Sequence, residues 1–306
     1  MKFLRPIIAL FLICIILSQA DLSEIGRVMR RAYIPLIILS CFILSLSVFF
    51  TSAKLKLLLS IQEIKIGFFR LLSYQMMSAF FSSLLPSTLG GDVAQVYLLK
   101  RDGHCGARST SVILISRFTE IVGMSCFFLL SLSLGYKFLN STIIRYLSHS
   151  IFIILIFALF IGLLWWQLLS HSHKIHPKIG SFIKRMHEAF LILPAHKGVF
   201  CVCLLLSFGS TLVWIWTPYL LSLSINMKVS PLYFFVFIPM INLITATPIS
   251  VNGIGLREGS YALLFAMAGQ DKNLAISLSF LVFSLELLRA LIGGIIYLLA
   301  RRNLEI

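Results

Sequence analysis

Long apolar stretches dominate the chain, and polar residues come between them in short clusters. Six runs, at about 3–20, 34–51, 111–136, 150–169, 199–223 and 274–300, are long enough to cross roughly 30 Å of hydrocarbon as helices. Two regions break this rhythm. The first runs from Phe68 into Pro86-Ser87-Thr88-Leu89-Gly90-Gly91-Asp92 and continues as a semi-apolar piece, 93–99. The second runs from Pro231 to Ile249, carries Pro231, Pro239 and Pro248, and passes through Ser250, Asn252-Gly253-Ile254-Gly255-Leu256-Arg257-Glu258 into a short apolar piece, 259–269. Eleven helical residues rise only about 16 Å, roughly half the hydrocarbon. Both regions therefore read as re-entrant hairpins, in which a helix dips in, breaks, and a second half-helix leads out on the same side.

Charge placement favours that topology. With an inner N-terminus and both broken regions re-entering, most of the 26 Lys and Arg, Lys54 and Lys56 among them, fall in inner loops. If the first region crosses fully, the basic loop 170–198 moves outside and so does the majority, against the positive-inside bias. Both termini are then cytoplasmic, and the two breaks approach the midplane from opposite faces, as in inverted-repeat transporters. The first repeat motif spans about 68–136 and the second about 231–300. Between them, Ile175, Ile179, Phe182, Met186, Phe190 and Leu193 recur at helical spacing, which predicts a cytoplasmic amphipathic helix over about 174–195.

Composition agrees with a membrane chain. Of its 306 residues 59% are hydrophobic and 12% charged, and the mean hydropathy is +0.98. That is too much apolar surface for a soluble domain, and continuous runs argue against a barrel. The expected fold is all-α: a single polytopic helical domain over 1–306. The net charge of +15 does not point to nucleic acid, because the basic residues lie in short loops between spans. Five of the six cysteines sit in apolar runs and only Cys105 in a polar loop, with no disulfide or metal-finger spacing. His171, His173, His176, His187 and His196 crowd the 170–198 loop without a standard ligand spacing. No cofactor and no metal is expected. The N-terminal segment reads as an uncleaved first helix in the inner (plasma) membrane.

Two constellations could carry chemistry. In the broken segments, Gly90-Gly91 and Gly253/Gly255 are expected to permit backbone conformations that other residues resist. Each following half-helix aims its N-terminal N–H groups at the break, which makes an anion site. Ser87, Thr88, Ser250 and Asn252 add neutral donors, and Arg257 adds a fixed charge suited to phosphate. Alternatively, Asp92 and Glu258 are simply helix-capping residues at kinks. The second constellation is Arg117 with Glu120 and Glu286 with Arg289, each pair three residues apart in an apolar span. Asp92 to Glu120 and Glu258 to Glu286 are both 28 residues, so each half reads broken motif, then charged span. These charges either pin helices together or line a substrate path.

The stretches LLPSTLGGDVAQVYLLKR, SRFTEIVG and PISVNGIGLREGSYALL resemble the flippase-like transmembrane domain of the lysylphosphatidylglycerol synthase family over nearly the whole chain. The resemblance implies a protein that moves an amphiphilic lipid between leaflets. It implies no aminoacyl-transferase chemistry, since the chain ends a few residues past its last span. Gln95 departs from the family pattern, where arginine often follows Gly-Gly-Asp. The expected function is translocation of an anionic phospholipid or a polyprenyl-phosphate-linked precursor. The expected partners are that membrane lipid and envelope-lipid enzymes such as a glycosyltransferase, not nucleic acid. The rivals are an intramembrane lipid-modifying enzyme, with Asp92, Glu120, Glu258 or Glu286 as general base, and a membrane subunit of a glycosyltransferase. No Ser/His/Asp set, HExxH or P-loop supports catalysis.

Overall fold

The computed structural model describes residues 21–84, 90–135, 197–246 and 253–302. Those residues form nine helices and no strands. The chain is a polytopic helical membrane protein, and four of the helices are long and apolar enough to cross a membrane. These are α2 (Ile34–Ile61), α5 (Gly106–Gly135), α6 (Lys197–Ser224) and α9 (Lys272–Arg302), of 28 to 31 residues. At 1.5 Å per residue each exceeds about 40 Å, more than the hydrocarbon thickness. The apolar runs at 3–20 and 150–169 and the amphipathic segment 174–195 lie outside the described residues, as do Ser87, Thr88, Ser250 and Asn252.

A short helix, α1 (Leu22–Arg30), occupies part of what reads in sequence as a basic loop. Asp21 caps it, accepting from the Ser23 and Glu24 amides at 2.9 and 3.1 Å. The Ser23 hydroxyl, first among these donors, holds the Asp21 carboxyl below its ordinary range. Asn273 Nδ2 donates to Glu24 at 2.6 Å and ties α1 to the start of α9.

In each broken region two separate helices flank the interruption, of which 85–89 and 247–252 lie outside the described residues. In the first, α3 (Phe68–Leu84) packs against α4 (Gly90–Arg101). In the second, α7 (Pro231–Ala246) packs against α8 (Leu256–Met267). In each half the second arm lies on the long helix that follows it, α4 on α5 and α8 on α9. The first arm crosses over: α3 packs on α9, and α7 packs on α5. The α3–α9 crossing is backbone-close, because a Cβ on Gly293 would overlap the Met76 carbonyl and one on Gly294 would meet the Phe80 ring at 2.8 Å. The small-residue rule for membrane helices accounts for this approach.

The two glycine motifs do different work. Gly253 and Gly255 have φ of +72° and +83°, a left-handed backbone that glycine adopts without strain. Gly90 and Gly91, by contrast, are already in the first turn of α4. Gly91 is needed for space, since a Cβ there would lie 2.7 Å from the Ser78 carbonyl and overlap the Ser78 and Ser82 hydroxyls. That corrects the expectation of a special backbone conformation at Gly90-Gly91.

Burial is arranged inside out. Large apolar side chains such as Ile38, Phe42, Leu263, Ile295 and Leu298 are exposed, while Ser40, Ser47, Ser52, Ser207 and Ser210 are buried. Two apolar clusters occupy different levels of the bundle. Along α2, Leu44 belongs to one cluster and Leu55 to the other, with Ser47, Val48 and Thr51 lining a cavity between them. Along α5 the order is Ile115, then cavity-lining Ser116, Arg117, Glu120 and Met124, then Phe128. On α6 it is Cys203, then Ser210, Thr211 and Trp214, then Ile215. The three helices thus share a polar level bounded by apolar layers.

Candidate functional site

A cavity of about 520 Å³ opens at that polar level, with a smaller chamber of about 270 Å³ beside it. Arg117, Trp214, Asn242 and Glu286 line both. Hydroxyls and amides share the rest of the larger wall with apolar side chains such as Ile113, Met124 and Phe283; among the polar ones are Thr51, Gln75, Ser78, Ser82, Gln95 and Thr211. Gln95, where the resembling family often has arginine, is buried and donates to Gln75 Oε1 at 2.6 Å.

The first half supplies a linked set of charges. Arg117 Nε and Nη2 grip the Asp92 carboxylate at 3.0 and 2.6 Å, and Nη1 donates to Glu120 Oε2 at 3.0 Å. This bidentate geometry fixes α4 to α5. Arg117 is well inside α5, which starts at Gly106, so it does not sit at a helix end as the apolar pattern suggests.

Lys54 completes the set and is the residue that the sequence reading misplaced. Counted as a cytoplasmic loop charge, it is instead fully buried in α2, because that helix continues ten residues past the run that ends at 51. Its ammonium donates to Glu120 Oε1 at 2.8 Å, the Ser116 carbonyl at 3.1 Å and Ser207 Oγ at 3.1 Å. Ser207 in turn donates to Thr119 Oγ1 at 3.0 Å. All three ammonium protons are thereby satisfied, and α2, α5 and α6 are joined. Lys54→Met strips Glu120 of one of its two cations, and removing one partner of a buried pair costs about 3–5 kcal/mol. A lowered thermal midpoint, recovered in Lys54→Met/Glu120→Gln, is the expected result; an unchanged midpoint would mean that Arg117 alone holds Glu120.

The second half repeats the arrangement with the charges exchanged. Here the half-helix carries the arginine and the long helix the carboxylate: Arg257 Nη1 donates to Glu286 Oε2 at 2.5 Å. Arg257 is 6% exposed and lies over the Phe283 ring, with its Cζ 4.9 Å from the ring centroid. Its Nε and Nη2 make no hydrogen bond, although Nε forms a longer ion pair with Glu258 Oε1 at 3.7 Å. Arg289 faces the Trp214 ring at 5.3 Å, and its buried Nε also lacks a partner. Glu286 and Arg289, expected to act as a pair, turn to different neighbours.

Glu258 is spent on structure. Its Oε2 accepts the Gly255 amide at 2.6 Å and its Oε1 accepts from Ser279 Oγ at 3.3 Å, so it caps α8, and it lines neither chamber. Gly253 and Gly255 shape the entry to that helix, and Ile254 between them reaches the larger cavity. Of the candidate residues, the chambers bring together Asp92, Arg117, Glu120, Arg257, Glu286 and Arg289. No group of His, Cys, Asp and Glu among the described residues could hold a metal ion, and the histidine-rich loop lies outside them.

The family model described as "Lysylphosphatidylglycerol synthase TM region" matches residues 2–294. The UPF0104 membrane protein MJ1078 of Methanocaldococcus jannaschii is 29% identical over 239 residues, an alignment covering 74% of this chain and 96% of that protein. No solved structure matches.

Proposed function

The chain belongs to the lysylphosphatidylglycerol synthase transmembrane-region family, and from that membership and the cavity we propose that it is a lipid translocator, moving an anionic phospholipid or a polyprenyl-phosphate-linked precursor between leaflets. The observation that carries this reading is the charged, hydroxyl-lined cavity at the polar level of an otherwise apolar bundle, with the unpartnered donors of Arg257 beside it. A buried guanidinium with unmade hydrogen bonds is poorly placed unless an acceptor arrives, and phosphate oxygens match its fork. In this reading the helix–break–helix pairs are inverted re-entrant hairpins whose half-helix N-termini face the headgroup. The acyl chains stay in lipid. Both termini are cytoplasmic, and the protein acts in the cell's inner membrane. Translocation makes and breaks no covalent bond. An envelope-lipid enzyme, such as a glycosyltransferase, is the partner class that would supply or consume the cargo.

The test is leaflet transfer in proteoliposomes of the full chain. Acyl-labelled phosphatidylglycerol should cross at least tenfold faster than in empty vesicles and faster than labelled phosphatidylcholine. Asp92→Ala, which frees Arg117 from its carboxylate clamp, should bring the rate down to that of empty vesicles. Equal rates with and without protein for anionic phospholipids and polyprenyl phosphates alike would remove the assignment.

A further inference from the structure

The charges around the two chambers balance. Lys54, Arg117, Arg257 and Arg289 stand against Asp92, Glu120, Glu258 and Glu286. A site that is already neutral when empty has a difficulty with an anionic guest. One phosphodiester brings one negative charge into a partly open polar chamber within an apolar bundle, where uncompensated charge is disfavoured.

The four carboxylates are not equally able to respond. Asp92 is clamped by Arg117 through two nitrogens. Glu120 is held by Lys54 and Arg117 together. Glu258 caps α8 and faces neither chamber. Glu286 has a single ion-pair partner, Arg257, and lines both chambers. The charged and titratable groups that line the chambers with it are Arg257 and Tyr261 from α8, Arg117 and Glu120 from α5, Asp92 from α4 and Arg289 one turn along α9. Glu258, which lines neither chamber, has its Oε1 3.7 Å from Arg257 Nε. Helices α6 and α7 contribute Trp214 and Asn242, which carry no charge, and α3 contributes Gln75 and serines.

Resting on the translocator reading, we propose that Glu286 is the built-in counter-ion of Arg257, and that it takes up a proton when an anionic headgroup replaces it there. Arg257 offers the guest Nε and Nη2, the side edge of its guanidinium that grips two oxygens at once. As the phosphate draws the guanidinium, Glu286 loses its cation and gains an anionic neighbour. A swing of Glu286 toward Arg289 would redistribute charge without neutralising it, because Arg289 is already in the balance. Protonation of Glu286 restores neutrality. Lipid and proton then move together, and a pH gradient can drive the cargo.

The experiment is calorimetric titration of the purified full chain in neutral detergent with dihexanoyl-phosphatidylglycerol, in imidazole and in Tris at the same pH. The difference in apparent heat between the two buffers counts protons. The wild type should take up close to one proton per lipid, and its affinity should fall by up to about tenfold per unit rise in pH. Glu286→Gln should bind more tightly, with uptake near zero and a flat pH profile; Glu286→Asp should keep the uptake. Wild-type binding without proton uptake, or equal uptake in Glu286→Gln, overturns the coupling and leaves the translocator reading standing. No binding of the lipid by the folded wild type removes both.

Discussion

Arg257→Ala abolishes lipid transfer and also lowers the thermal midpoint. The two effects have different origins and separate in a second variant. The stability loss arises because Glu286 is left without its ion-pair partner. Breaking a buried pair on one side costs about 3–5 kcal/mol, and the lower end applies here because the Glu286 side chain is 26% exposed. Arg257→Gln/Glu286→Gln removes both charges and should recover most of the midpoint. It should not recover transfer, since the fork that would hold the headgroup is gone. Thermal unfolding of the purified protein and leaflet transfer in vesicles read the two quantities independently. A double variant that is stable and still moves phosphatidylglycerol at the wild-type rate would show that Arg257 only pins α8 to α9.

Gly293→Leu prevents formation of the folded monomer. The residue faces the Met76 carbonyl so closely that even a methyl has no room. The obstructing atom is backbone, so no rotamer change relieves the clash, and α3 must leave α9. Inserting bulk into a packed core typically costs about 1–3 kcal/mol and more where the backbone has to move. Loss of the monodisperse peak on size exclusion is the expected readout. Gly294→Ala should do less harm, because its obstacle is the ring of Phe80, which can turn. Gly198→Ala, with nothing within 4 Å, is the silent control. If Gly293→Leu purified and melted like the wild type, the close α3–α9 crossing would be wrong.

Much of this architecture is legible in the chain. The interrupted stretches fall between the two helices of each pair, and in the second the left-handed backbone of Gly253 and Gly255 is the local cause. The intramembrane charges stand out from their apolar context, and Arg117, Glu120, Glu286 and Arg289 all line the larger cavity. Lys54 was harder to see. Two lysines in three residues look like the end of a span, yet Lys56 is exposed and Lys54 is fully buried. The available signal was helical phase: Ser40, Ser47, Thr51 and Lys54 recur at intervals of seven, four and three along one face. The capping by Glu258, made to the Gly255 amide three residues earlier, is one of the two readings that the sequence offers. The role of Gly91 is not legible, because close approach depends on which neighbour the tertiary fold supplies. The same holds for Arg289, which the spacing assigns to Glu286 and the packing gives to Trp214.

The exchange of first arms between halves carries a consequence for biogenesis. The partner surface of α3 is on α9, some two hundred residues later in the chain. During synthesis the leading half therefore waits in the bilayer with its Met76- and Phe80-bearing face unclaimed, and the trailing helix completes it. Neither half is a unit that could be made alone, and a stop codon shortly before Gly293 would leave the amino-terminal half exposed to membrane proteases even though every residue of that half had been translated.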